Sequence, residues 1–214
     1  MKKIILLGGG GHCKVVIEAI LSQKKFKIAG IIDKKKNIGK KILGFSIIGE
    51  DNDVEDYFKK GVKNCFIAVG SIGNTNLRIN LFNLAKNFGF KFPNVIHPGA
   101  LISKFAKVGE GNYIAPGVII NAGVIIRNNC IINTATTIDH DCQIGDFVHI
   151  APGVTISGGV KVGQSTHIGT GSSVIQSIKI GKNTIIGAGS MVTNDIDNNI
   201  IAYGNPCRKV KENV

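Results

Sequence analysis

From Ile102 to Val192 an isoleucine or valine stands at every sixth position, sixteen times in succession: Ile102, Val108, Ile114 and so on through Ile180, Ile186 and Val192. An amphipathic helix repeats about every 3.6 residues and a half-buried strand every two, so a strict period of six matches neither. It is the signature of a parallel β-helix, in which each hexapeptide makes one short flat face and three faces close a coil of about 18 residues. Coils then stack at about the 4.8 Å spacing of neighbouring strands. A second inward slot follows each Ile or Val by four residues. Cys130, Thr136, Cys142, Val148, Val154, Thr166, Ser172, Thr184 and Ser190 occupy it, all small or β-branched, as a narrow triangular interior requires. The slot directly after the Ile or Val is often glycine (Gly109, Gly145, Gly163, Gly169, Gly181, Gly187), which predicts corners with positive φ. No insertion interrupts the hexapeptides.

The first 95 residues follow another pattern. Lys3 to Leu7 is a short apolar run that ends at Gly8-Gly9-Gly10-Gly11-His12, and Lys14 to Leu21 carries helical spacing. That is strand, glycine turn, helix. Lys27 to Ile32 reads as a second strand ending in Asp33, where a nucleotide-binding βαβ unit places an acidic residue about twenty residues after its glycines. The glycine pattern is only part of G-x-G-x-x-G, because Cys13 stands where its last glycine would be. Further strands are expected at Phe45 to Ile48 and Asn64 to Val69, with helices over 51–60 and 75–88, the latter N-capped by Asn74. Alternating strands and helices imply a small parallel sheet. Val95-Ile96-His97-Pro98 joins it to the first coil, giving a 1–95 βαβ (Rossmann-like) domain and a 96–214 β-helix domain.

Composition changes this picture in three places. Residues 1–95 hold 17 Lys and Arg against 7 Asp and Glu, whereas the remainder is nearly balanced at 9 against 7. A basic first unit attracts anions, but Lys34-Lys35-Lys36 and Lys40-Lys41 lack interleaved aromatics, so they read as a solvated loop with no nucleic-acid partner. No apolar run reaches membrane-span length, and the opening Ile4-Ile5-Leu6-Leu7 is too short for a secretory signal, so no membrane insertion and a cytoplasmic location are expected. The five cysteines form no CxxC pair. Cys130 and Cys142 fall in the inward small slot, where a reduced thiol packs as a small hydrophobe.

The chemistry is expected at His140, in Ile138-Asp139-His140-Asp141-Cys142. It lies two places after an inward Ile, at a corner where its ring reaches solvent. A near-neutral imidazole suits removal of a proton from an attacking nucleophile, and the adjacent Asp141 carboxylate can hold its tautomer. His149 and His167 occupy equivalent slots one coil apart, so they should stack on an outer face. The three-histidine spacing of a catalytic metal site is missing, and no metal is expected.

These features together resemble the sialic-acid O-acetyltransferase-like hexapeptide sugar acyltransferases. That group includes N-acetyltransferases of nucleotide-linked 4-amino sugars, such as the UDP-bacillosamine and GDP-perosamine enzymes. The Gly-Gly-Gly-His turn, the Ile-His-Pro junction and the unbroken hexapeptides carry the resemblance over essentially the whole chain. It implies a left-handed β-helix that trimerises and binds acetyl-CoA in grooves between subunits, with the first domain gripping the nucleotide. On those terms Gly10, Gly11, His12 and Asp33 match nucleotide-gripping positions. Asn133, His140 and Asp141 match the active segment with His140 as base, and His149 matches a position lining the acceptor pocket. Gly158 matches the glycine whose amide faces the thioester carbonyl. The tail Tyr203-Gly204-Asn205-Pro206-Cys207-Arg208 is similar to the family's Gly-x-Pro-Ala-Lys ending near the cofactor, which brings in Pro206 and Arg208; Cys207 and Arg208 replace its Ala-Lys. The expected activity is acetyl-CoA-dependent N-acetylation of the 4-amino group of a nucleotide-linked amino-deoxy sugar, UDP-linked by preference, in a homotrimer. Two rivals are an O-acetyltransferase of sialic acid or a related sugar, and a non-catalytic nucleotide-binding hexapeptide scaffold.

Overall fold

The computed structural model describes residues 1–213. The chain divides into one unit of residues 1–70 and 76–98 and a second of residues 71–75 and 99–214.

In the first unit the strands are β1 (Lys2–Leu7), β2 (Phe26–Ile32), β3 (Lys41–Ile42), β4 (Phe45–Gly49) and β5 (Asn64–Ile67), in sheet order β3-β4-β2-β1-β5. The last four are mutually parallel, and β3 forms an antiparallel hairpin with β4. Ile4, Ile5, Leu6 and Leu7 are all fully buried, so the continuous apolar run of β1 marks a central strand covered on both faces. Ile5, Leu7, Ile32, Cys65 and Ile67 meet Val54, Leu81, Phe90 and Phe92 in one core cluster. Helix α1 (Gly11–Gln23) begins inside the glycine turn, three residues before the periodic run from Lys14. The polar segment after β4 divides into a one-turn 3-10 helix, Asp51–Asp53, and α2 (Val54–Lys59). Helix α3 (Asn76–Asn87) carries a buried Arg78, whose guanidinium donates to the carbonyls of Ile67 and Val69 and so pins the end of β5.

The second unit is the left-handed parallel β-helix. Sixteen two-residue strands run from Leu101–Ile102 to Met191–Val192, and each residue pairs with the one eighteen places on, as in Ile119 with Thr137 and His149 with His167. The first face holds 101–102, 119–120, 137–138, 155–156, 173–174 and 191–192. The second holds 107–108 through 179–180, and the third 113–114 through 185–186. Every periodic Ile or Val from Ile114 to Val192 is buried, whereas Ile102 and Val108, in the end coil, are half-buried because no layer covers them. The inward polar slots are satisfied by the main chain. Cys142 Sγ donates to Ser157 O at 3.1 Å, Thr136 Oγ1 to Ala151 O at 3.2 Å and Ser172 Oγ to Gly187 O at 2.9 Å. Each hydroxyl or thiol thus reaches a carbonyl in the following coil, and its burial leaves no orphan donor. The third face continues into a hairpin of Ile200–Gly204 and Cys207–Glu212 that hexapeptide counting does not foresee.

The corner glycines require a correction. Gly109, Gly145, Gly163, Gly169, Gly181 and Gly187 do not adopt positive φ; that conformation sits two residues later, at every sixth position from Gly111 to Gly189. The glycines after the inward Ile or Val are small for another reason. A Cβ on Gly145 would lie 2.7 Å from Gln164 N, and one on Gly163 would lie 2.5 Å from Lys182 N, so stacked coils approach too closely for a side chain. The left-handed slot is filled by Gly, Asn, Ser, Ala and Phe, and, at φ 61°, by Asp141.

Candidate active site

His140 is held at the corner between the first and second faces. Its side chain is 62% exposed, so the ring points outward rather than into the apolar prism. Nδ1 lies 2.9 Å from Asp141 Oδ2. A carboxylate only accepts, so the proton sits on Nδ1 and the lone pair on Nε2 faces outward. The left-handed backbone at Asp141 turns the chain so that two adjacent side chains can meet in this way. Behind them Asp139 Oδ1 accepts from the His140 N–H at 2.7 Å and from Asn121 Nδ2 at 2.9 Å. These bonds, Asn121's first, hold the Asp139 carboxyl below its usual range. The hydrogen bond to Asp141, followed by the field of Asp139, raises the His140 pKa above its ordinary value.

Gly158 lies one coil on from His140. It is buried, and a Cβ built on it would stand 2.6 Å from both Cε1 and Nε2 of the imidazole. The Gly158 carbonyl accepts from Ser177 N at 2.9 Å and Gly159 N donates to His140 O at 2.9 Å, but the Gly158 N–H makes no hydrogen bond among the described residues. The same corner slot at Gln164 and Thr170 also makes no main-chain hydrogen bond among them, so the Gly158 N–H is one of a series, set apart by the imidazole next to its residue.

Asn133 and His149 form a separate group. Asn133 begins the corner between the third and first faces, a full face away from the His140 corner. Its Nδ2 stands 3.4 Å from His149 Nε2, and its Oδ1 accepts from Thr134 N at 2.9 Å. His149 is buried and its Nδ1 donates to Ser71 O at 2.5 Å, which leaves Nε2 as an acceptor toward Asn133. His167 stacks edge-on at 4.8 Å, as the eighteen-residue spacing requires; burial lowers its pKa, and its Nδ1 has no hydrogen-bond partner among the described residues. One chain therefore joins His140, Asp141 and Gly158 at one corner and Asn133 with His149 at another.

The second face starts at the His140 corner and carries a cleft of about 500 Å3 whose lining includes Arg127, Gln143, Lys161, Lys179 and Lys182. Arg208, exposed on the terminal hairpin just after the exposed Pro206, lines a smaller cleft of about 160 Å3 with Asp195 and Asp197. Among the described residues no group of three or more His, Cys, Asp or Glu side chains could hold a metal ion. No helix there is long and apolar enough to cross a membrane.

In the first unit a cleft of about 400 Å3 opens at the carboxyl ends of the parallel strands, where α/β sheets bind their ligands. Gly8 after β1, Asp33 to Lys35 after β2, Glu50 to Asn52 after β4 and Val69 beyond β5 line it. Gly10 is the N-cap of α1 and Gly11 its first residue; a Cβ on either meets nothing within 4 Å, so this turn is open to a ligand. His12 follows, half-buried in the first turn. The tight glycines are Gly8, at φ 105°, where a Cβ would lie 2.3 Å from Val69 Cγ2, and Gly9, where it would lie 2.8 Å from Asp33 Oδ2. Asp33 Oδ2 also accepts from Asn37 Nδ2 at 2.8 Å.

Sequence reasoning missed Asn121 and Asp139, although their eighteen-residue spacing in one slot foretells the bond between them. It also missed the cationic second face, whose Lys161 and Lys179 are register partners in the same repeat.

A nucleotide-binding type of α/β unit and a hexapeptide prism with an oriented corner imidazole define an acyltransferase class of protein. Residues 3–84 match the PglD N-terminal domain family, and residues 123–158 and 159–194 match the bacterial transferase hexapeptide family. The crystal structure of PerB from Caulobacter crescentus in complex with CoA and GDP-perosamine is 36% identical, with a TM-score of 0.92 over 99% of this chain and 98% of that one. The acetyltransferase domain of PglB from Neisseria gonorrhoeae FA1090 in complex with acetyl coenzyme A is 32% identical, with a TM-score of 0.88 over 98% and 99%. The UDP-N-acetylbacillosamine N-acetyltransferase of Bacillus subtilis (strain 168) is 37% identical over 53% of this chain. The GDP-perosamine N-acetyltransferase of Escherichia coli O157:H7 is 29% identical over 58%. The matches span about half the length of these two curated relatives, 51% and 54%. The chain belongs to the PglD-type hexapeptide sugar acetyltransferase family, as the sequence motifs led one to expect.

Proposed function

We propose that the chain transfers an acetyl group from acetyl-CoA to the 4-amino group of a nucleotide-linked amino-deoxy sugar. The observation that carries this reading is the His140 imidazole, its tautomer set by Asp141 and its Nε2 beside the unengaged Gly158 N–H. The amine attacks the thioester carbonyl carbon while Nε2 takes its proton. The carbonyl oxygen becomes an oxyanion, to which we assign the Gly158 N–H as donor. Collapse breaks the C–S bond, and the imidazolium returns the proton to the leaving CoA sulfur.

The substrates follow from the two clefts. In the first unit Gly10, Gly11 and His12, at the N-terminus of α1, suit the diphosphate, and Asp33, which lines the cleft with Lys34 and Lys35, suits the ribose hydroxyls. On the β-helix Arg127, Lys161, Lys179 and Lys182 suit the phosphates of CoA, whose thioester end would then reach the His140 corner. Arg208, with Pro206 two residues before it, lines the separate, smaller cleft beside Asp195 and Asp197, and we assign both to the cofactor on the resemblance of the tail alone. Asn133 and His149 sit a face away from His140, so we assign them to the acceptor pocket of a neighbouring copy in a homotrimer. PerB was solved with CoA and GDP-perosamine, and the PglB domain with acetyl coenzyme A, which supports both ligand classes. Acetyl-CoA and nucleotide sugars are cytoplasmic metabolites, and we place the reaction there.

Release of free thiol from acetyl-CoA, with 4-amino and 4-hydroxyl nucleotide sugars as acceptors, tests the reading. Turnover with the amine alone is expected; turnover with the hydroxyl alone would replace it by O-acetylation, and none with either would remove it.

A further inference from the structure

We propose that the cleft of the first unit selects guanine over uracil and that Asp51 reads the base; this rests on the nucleotide-sugar reading above. The sheet order places the base. Neighbouring strands lie about 4.8 Å apart, and β4 is the strand beside β2 on the side away from β1. A diphosphate at the α1 N-terminus, above β1, and a ribose at Asp33, above β2, therefore carry the base toward the segment that follows β4, Glu50-Asp51-Asn52.

That segment offers acceptors. The Glu50 carboxylate is already occupied by the Asp53 N–H in a capping box, and Asp33 by Asn37. Asp51 is exposed and lines the cleft, and its side chain makes no hydrogen bond among the described residues, so both carboxylate oxygens are available. Partial desolvation, then the fields of Asp33 and Glu50, push its carboxyl above the usual range. Three carboxylates facing one cleft favour a ligand that brings donors and disfavour one that brings lone pairs.

Guanine presents N1–H and N2–H side by side, and the two oxygens of one carboxylate accept both. Uracil presents a single N3–H flanked by two carbonyl oxygens, so it makes one bond and sets both oxygens against the acidic rim. A bidentate pair of this kind discriminates by about ten- to a hundredfold. The UDP-linked sugar favoured on sequence resemblance is the ligand this rim disfavours.

Calorimetric titration of the full chain with GDP, UDP, dTDP and ADP at one salt concentration tests the assignment, with Asp51→Ala as the variant and a thermal melt as its folding control. GDP is expected to bind at least about tenfold tighter than UDP or dTDP, and Asp51→Ala to remove that preference while changing UDP affinity by less than about twofold. Equal or tighter UDP binding, or a GDP preference that survives in Asp51→Ala, overturns the base assignment and leaves the nucleotide-sugar reading intact. Failure of all four nucleotides to bind overturns both.

Discussion

His140 occupies the space that a side chain on Gly158 would need: a Cβ there would stand 2.6 Å from the imidazole Nε2. The backbone at Gly158 is not in the left-handed region, so alanine meets no main-chain strain and its methyl must displace the ring. A displacement of about 1 Å at a catalytic base costs on the order of a hundredfold in turnover. Gly158→Ala is therefore expected to lose about that much kcat with an unchanged melting temperature. Turnover within about twofold of the native enzyme would show that the ring position does not matter.

Asp141 sets both the tautomer and the proton affinity of His140. The base works neutral, so activity falls as pH drops through its pKa, and that pKa lies above the ordinary 6.5 because of Asp141 first and Asp139 second. In Asp141→Asn the first cause disappears, so the acid limb of the kcat profile shifts to lower pH, while the plateau drops because the ring is less well oriented. A pH series on the two proteins checks it. An acid limb that stays in place or moves to higher pH assigns the titration to another group.

The hexapeptide phase specifies the prism, its inward residues and the outward corner of His140, because a strict period of six repeats one flat face and one corner along the chain. The Asn121–Asp139 bond behind His140 went unread although its eighteen-residue spacing foretells it, and Gly158 was legible by resemblance alone, because its close approach to the imidazole depends on stacking height and ring orientation. The glycine rule failed for a physical reason. Glycines after the inward Ile or Val answer coil-to-coil distance, and the left-handed corner tolerates Asn129, Asp141 and Phe147. The cleft residues Glu50, Asp51 and Asn52 were invisible as a group, because only the sheet order brings them beside Asp33.

Coil position should govern the cost of cavities. Ile168 is fully buried between coils, whereas Ile102 is half-buried at the open end. Ile168→Ala is expected to cost about 2–5 kcal/mol, and Ile102→Ala about 1 kcal/mol, in urea unfolding at matched protein concentration. Equal losses at the two sites would mean that the end coil is covered in solution.

The separation of His140 from Asn133 by a full face of the prism has a consequence for assembly. If the acceptor pocket joins the His140 corner of one copy to the Asn133 corner of the next, His140→Ala and Asn133→Ala damage different halves of one shared site. Each variant alone is expected to lose at least about a hundredfold in turnover. Refolded together in equal amounts, they form closed rings in which about one interface in four pairs two intact halves, so about a quarter of native activity returns. Light scattering on the native chain should give the mass of a trimer. A mixture no more active than its separate components, or a monomeric mass, would place both groups within a single subunit and leave the His140 corner to find its acceptor without a neighbour.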